Sequence, residues 1–299
     1  MKKRELRSNG LLLITAAIWG SGFVAQRAGM VHVGPFTFNA IRFLLGSLAL
    51  IPVLLITRNK QQRYGPVPLR TVLTGGLLAG AAVFSGATFQ QAGIVYTSAG
   101  KAGFITGLYV IIVPILGIFL RHKAGFGTWA GAVLAIVGLY FLSFTGDFST
   151  ATFGDLLVLT GAFCWAAHVH ILGWYSPRMN TIQLAFIQFI FCSLFSFLVV
   201  PIFSESIRIQ SVIDASGPIC YSGFISVGVA YTLQVVAQKD AHPSHAAIVL
   251  SLEAVFAVIF GVLILKESLS IQGLTGCILM FGGMIVSQLC GHKETAGER

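Results

Sequence analysis

Apolar residues along this chain gather in ten long runs, at 9–30, 35–57, 71–94, 100–120, 125–144, 153–174, 180–203, 216–237, 243–265 and 270–290, joined by short polar connections. Each run is near twenty residues, the length of helix that crosses a hydrocarbon core of about 30 Å. The pattern predicts an all-α membrane protein with ten transmembrane helices. With so little sequence outside the bilayer, function must be built from the helices themselves. A β-barrel would alternate with period two in segments of about ten, and this chain does not.

Composition agrees with that reading. Of 299 residues, 56% are hydrophobic and 10% charged, with a mean hydropathy of +0.85, whereas soluble domains carry roughly 25% charged residues. A net charge of +9 would point to nucleic acid in a soluble protein, but here the basic residues read as topology determinants, and no nucleic-acid partner is expected. Of the 19 Lys and Arg, 14 fall in the N-terminal tail (Lys2, Lys3, Arg4, Arg7), alternate loops (Arg58, Lys60, Arg63, Arg70; Arg121, Lys123; Arg178; Lys239) and the C-terminal tail (Lys293, Arg299). The positive-inside rule then places both termini in the cytoplasm. The stretch after Arg7 is too long for a secretory h-region of 7–15 residues and reads as the first span. The five cysteines lie singly in apolar helices without CxxC spacing, so neither a disulfide framework nor a zinc site is indicated.

Sliding residues 1–145 against the remainder gives a consistent register. At an offset of 146, Asn9 meets Asp155, Trp19 meets Trp165, Phe43 meets Phe189 and Ser47 meets Ser193. After one residue of slack the offset is 145, matching Gly131 with Gly276 and Gly138 with Gly283. The chain divides into two five-helix repeats, 1–145 and 146–299. Because five is odd, the second repeat enters from the opposite side, and the duplication is inverted. Two inverted copies can exchange conformations around a fixed central site, which is the geometry of alternating access. Gly127, Gly131 and Gly138 in the fifth span, with Gly273, Gly276, Gly282 and Gly283 in the tenth, offer small faces for close packing, within the monomer or between the protomers of a homodimer.

At this point the sequence resembles the drug/metabolite transporter superfamily, in its ten-helix EamA-type branch. The resemblance covers nearly the whole chain. It is carried by the opening helix of each half (Asn9 to Gly20, and Asp155 to Ala166), by Tyr96-Thr-Ser-Ala-Gly-Lys101-Ala-Gly-Phe-Ile-Thr-Gly-Leu-Tyr109 running into Pro114, and by Ser251-Leu-Glu253 through Lys266-Glu267 to Gly276. It implies a carrier of the cytoplasmic membrane, commonly an exporter or exchanger of amino acids and other small metabolites, with no metal or organic cofactor. Two departures stand out. Family members often have proline directly after the glutamate of the ninth span, where this chain has Ala254, so the local kink of such a proline is not expected. His122 stands where its repeat mate is Glu267. Substrate identity does not transfer, since relatives of this fold move amino acids, nucleotide sugars and phosphorylated compounds.

A charge near the bilayer centre costs about 2.5–3.5 kcal/mol on insertion scales, which makes an intramembrane ionisable residue a functional candidate. Arg42 and Glu253 qualify. Glu253, near the middle of the ninth span, either takes a proton coupled to transport, holds a cationic part of the substrate, or fixes packing through an ion pair such as one with Arg42. Arg42, roughly 10 Å below the outer end of its helix, either contacts an anion or carboxylate or braces the bundle. Trp19 and Trp165 both fall near mid-depth, as an aromatic wall of the site or as packing between the repeats. Gln90 and Gln234 occupy corresponding places in the third and eighth spans, and Tyr109 follows the Gly103 to Gly107 stretch; each can line a cavity or bond to a neighbouring helix. His168 and His170 diverge on a helix and are poorly placed to share a metal, while His168 can border the cavity. Arg27 and Lys101 sit at helix ends, where snorkelling accounts for them.

The leading expectation is a secondary-active transporter of small metabolites, not an enzyme, with no cofactor; its partners are a small-molecule substrate and the lipid bilayer. No GxxxxGK[ST] loop is present, which argues against ATP-driven transport by this chain alone. Two alternatives compete with it. One is an intramembrane enzyme using Ser21 with His168; the other is a membrane sensor or scaffold that transports nothing.

Overall fold

Helix follows helix through the described residues, and no strand occurs among them. The computed structural model describes residues 2–57, 67–96, 99–121, 124–143, 153–265 and 270–295. Arg58, Lys60, Arg63, His122, Lys123, Lys266, Glu267 and Arg299 lie outside the described residues, as do the side chains of Lys2, Lys3, Lys101, Cys290 and Lys293.

In chain order the helices are α1 (Lys2–Gly29), α2 (Pro35–Thr57), α3 (Leu69–Tyr96), α4 (Ala99–Gly107), α5 (Tyr109–Phe119), α6 (Phe126–Ser143), α7 (Phe153–Tyr175) and α8 (Thr181–Val199). Then come α9 (Ile209–Asp214), α10 (Ser216–Cys220), a π-helix (Tyr221–Tyr231), α11 (Thr232–Ala237), α12 (Pro243–Leu250), α13 (Glu253–Leu265) and α14 (Ile271–Thr295). Among the described residues, seven helical stretches are long and apolar enough to cross a membrane, including Ser216–Ala237 and Pro243–Phe260, each of which runs through more than one element. The remaining apolar runs fall on the shorter helices Ile105–Phe119, Phe126–Phe141 and Ile271–Ser287.

Helix starts follow local chemistry. Asn180 caps α8 by accepting hydrogen bonds from the backbone N–H of Ile182 (2.9 Å) and Gln183 (3.0 Å), which satisfies two of the donors a helix start leaves free. The first turn of α2, opened by Pro35, is capped from a distant loop: Glu205 accepts from the N–H of Phe36 (3.1 Å) and Thr37 (2.9 Å) and from the Thr37 hydroxyl (2.8 Å).

Two helices are interrupted at matching places. Leu108 N–H bonds to the Ile105 carbonyl and Leu252 N–H to the Val249 carbonyl, both at 3.2 Å and both i to i−3. Each belongs to a short 3₁₀ interruption inside an apolar helix, with a second i to i−3 bond close by (Ile111 to Leu108, Ala254 to Ser251), a feature that often marks a hinge. The two steps lie 144 residues apart (108 to 252). This corrects the expectation drawn from Ala254. The ninth span is interrupted without proline, and Ser251 contributes by turning its hydroxyl back onto the Ile248 carbonyl at 2.9 Å, which competes with the regular ladder.

Without a hydrophobic force between helices in lipid, close packing holds the bundle. On α6 and α14 it is glycine against backbone: a Cβ on Gly131 would stand 2.6 Å from the Gly283 carbonyl oxygen, one on Gly283 equally close to Gly131, and one on Gly138 2.6 Å from Gly276. The glycine faces are therefore used inside one chain. The α3–α7 crossing repeats the device with Gly93 and Gly154, each 2.8 Å from the other's carbonyl oxygen by the same measure. At the centre, Phe43 of α2 and Phe189 of α8 meet ring to ring at 6.1 Å.

Candidate functional site

The interrupted helices border a cavity. It is lined by side chains of α1, α2, α3, α7, the π-helix, α11 and the residues flanking both 3₁₀ steps. Trp19, Arg42, Gln90, Tyr109, Trp165, His168, Gln234 and Glu253, each singled out above from sequence, all line it.

Its wall is aromatic. Tyr231 packs against Trp19 with ring centroids 4.5 Å apart and against Trp165 at 6.0 Å. His168 stands edge-on to Trp165 (6.2 Å) and Tyr231 (6.3 Å), held by its Nε2 against Gln188 Oε1 at 3.0 Å. Both indole N–H groups are engaged elsewhere: Trp19 donates to the Ser226 carbonyl (3.4 Å) and Trp165 to Gln90 Oε1 (2.9 Å). The tryptophans thus both fix neighbouring helices and present ring surface to the cavity. His170 points away and bonds to the Val113 carbonyl at 2.8 Å, so the two histidines do not converge.

Polar groups interrupt this wall at few points. Arg42 is 2% exposed, with its guanidinium carbon 5.0 Å from the Phe43 centroid and 5.5 Å from that of Phe38. Its Nε has no hydrogen-bond partner, and among the described residues no ion pair joins it to Glu253 or another acid. Glu253, the first residue of α13, is 8% exposed and borders the cavity. The Tyr109 hydroxyl, Gln234 Oε1, Thr106 Oγ1 and Gln26 Oε1 are likewise buried without partners. Buried polar atoms are normally paired, and leaving one unpaired costs about 1–3 kcal/mol. At the cavity these five atoms present donors and acceptors already stripped of water to any polar solute that enters.

Sequence reasoning missed Tyr231, Ser226, Thr106, Phe23 and Gln26, which also line the cavity. Helical spacing could have found most of them: Tyr231 and Thr106 stand three residues before Gln234 and Tyr109, and Phe23 four after Trp19. Ser226 could not be found that way. Residues five apart diverge on an α-helix, and the i to i+5 ladder of the π-helix brings Ser226 and Tyr231 to the same side. The pairing of Ser21 with His168 is not formed: Ser21 Oγ bonds to the Ile18 carbonyl and the Tyr221 hydroxyl, and His168 to Gln188.

Comparison with known proteins decides the family. Residues 7–144 and again 152–288 match the EamA-like transporter family. The chain belongs to that family. An uncharacterized transporter of Archaeoglobus fulgidus is 34% identical over 291 residues, covering 96% of this chain and 87% of that protein. The uncharacterized transporter YoaV of Bacillus subtilis is 24% identical, covering 93% and 95%. YedA of Escherichia coli, described as an uncharacterized inner membrane transporter, is 27% identical over 161 residues, 52% of this chain and 50% of YedA. A solved crystal structure at 18% identity has the same fold, with a TM-score of 0.78 over 96% of this chain and 98% of that one. The chain is thus a multi-pass membrane protein of a transporter family.

Proposed function

We propose that the chain is a secondary-active transporter of small metabolites, such as amino acids or their derivatives, exporting or exchanging them across the cytoplasmic membrane with both termini in the cytoplasm. It works by alternating access, its ten spans forming two inverted five-helix repeats around the cavity. The observation that carries this reading is the pair of 3₁₀ steps at Leu108 and Leu252, whose neighbours Tyr109 and Glu253 line one cavity. Discontinuous helices at corresponding places in two repeats are the usual mark of a transport site.

Contacts between repeat mates support the inverted relation. Phe43 and Phe189, paired in the repeat register, touch each other, as residues beside a two-fold axis must. Exchanging Gly131 with Gly276 and Gly138 with Gly283 turns the Gly131–Gly283 contact into the Gly138–Gly276 contact. Trp19 bonds to the eighth span and Trp165 to the third, which are again repeat mates.

Glu253 is the proton-coupling residue in this reading. Tyr109, Tyr231, His168 and Arg42 are the other titratable or charged groups on the described cavity wall. Glu253→Gln keeps the shape and removes the titration, so counterflow by this variant in proteoliposomes should lose its dependence on pH between about 5 and 8. A variant whose rate and pH profile both match the native protein contradicts proton coupling at Glu253.

A further inference from the structure

An arginine buried in the bundle without an acid beside it is an expensive arrangement. Arg42 stacks against Phe38 and Phe43, leaves Nε unpaired, and lines the cavity. Tyr231, which packs on Phe43 at 5.9 Å, lines the same cavity as Arg42 and Glu253.

We propose that Arg42 is the anion anchor of the cavity, selecting substrates that carry a single carboxylate on a flat apolar body. The proposal rests on the transporter reading above and adds the substrate's charge to it. A guanidinium presents a planar fork that matches a carboxylate with two parallel N–H···O bonds. Among the described residues that line the cavity, Arg42 is the one basic side chain apart from His168, whose Nε2 is occupied by Gln188. A doubly charged phosphate would meet one full positive charge and leave the other negative charge unmatched in a desolvated site, so the arrangement suits a monoanion. The half-buried rings of Trp19 and Trp165 on the cavity lining suit the flat body, and both indole N–H groups are bonded to protein, so the contact these two side chains offer a substrate is apolar. Glu253, once it has taken a proton, does not oppose the anion.

Three compounds on one ring test this: phenylacetate, phenylacetamide and 2-phenylethylamine, titrated into the purified full-length protein with tryptophan fluorescence as readout and as competitors in counterflow. Phenylacetate should bind about ten-fold or more tighter than the amide, the difference made by one charge-assisted pair, and the amine should bind no better than the amide. Arg42→Gln should abolish the preference for phenylacetate, weakening the acid far more than the amide, whereas Arg42→Lys should keep part of it. A thermal melt of each variant in detergent identifies any that fail to fold, and the wild-type series stands by itself if one does. Equal affinities in the native protein, no binding of phenylacetate, or an Arg42→Gln variant that weakens acid and amide alike overturns the assignment. A transported compound without an anionic group would overturn it too while leaving the transporter reading intact; absence of flux for every compound class would contradict the transporter reading itself.

Discussion

Tyr231 holds the aromatic wall together. Its ring meets Trp19 at 4.5 Å, Phe43 at 5.9 Å, Trp165 at 6.0 Å and Phe189 at 6.2 Å, so it joins the cavity lining to the Phe43–Phe189 contact between the halves. Aromatic pairs contribute about 0.5–1.5 kcal/mol each beyond their buried area. Tyr231→Ala should therefore cost at least about 2 kcal/mol, read as a lowered melting temperature in detergent, while Tyr231→Phe keeps the rings and should stay close to native. Equal losses in the two variants would mean that the hydroxyl, not the ring, is what matters. Polar residues of the site were legible in the sequence because a buried Arg, Glu or Gln within an apolar run is rare. Tyr231 was not, since the chain holds 24 Phe and 7 Tyr, and an aromatic residue in a span carries no mark of which way it faces.

Among the elements, α6 and α14 make the tightest approach, and it depends on the absence of side chains. Gly131→Leu would drive its new atoms into the Gly283 backbone and into Ser287, whose Cβ lies 2.8 Å from the ideal Cβ position. Overpacking of this kind costs typically 1–3 kcal/mol and more where backbone must move. Gly131→Leu should broaden or lose the monodisperse peak in size-exclusion chromatography, while Gly282→Leu, on the same helix pair but with nothing within 4 Å of its Cβ position, should elute as native. Similar behaviour of both would show that the glycine contact is not what holds the pair. The helices were readable from run length and the small faces from glycine spacing, but whether those faces met within one chain was not. The interruptions were hidden for a different reason: Leu108 and Leu252 are ordinary helix formers, and at Leu252 the Ser251 hydroxyl turns back onto the Ile248 carbonyl. The π-helix has no signature in residue type either.

Over the whole molecule, the cavity and the ties across the bundle occupy different stretches of α1. The lining residues of α1 are Trp19, Phe23 and Gln26, toward its C-terminal end. Its N-terminal half is tied across the bundle instead: Ser8 donates to the Ala237 carbonyl at 2.8 Å and Asn9 Oδ1 pairs with His245 Nε2 at 3.0 Å, while Gln238 reaches the Val169 carbonyl at 3.0 Å. With the termini in the cytoplasm, as proposed, these ties lie on the cytoplasmic side of the cavity. The repeat reading rests on the sequence register that pairs Trp19 with Trp165. The ties across the bundle were not legible, because they depend on which hydrogen bonds form between distant helices.

Counterflow in proteoliposomes tests the central claim most directly. Vesicles loaded with pooled amino acids, amines, carboxylates, nucleotides and sugar phosphates are given labelled members of each class outside, and vesicles without protein serve as the baseline. The account predicts protein-dependent uptake confined to one chemical class and stimulated by the same class inside, as a carrier that exchanges across a single site must show. Uptake no faster than in empty vesicles for every class would contradict it.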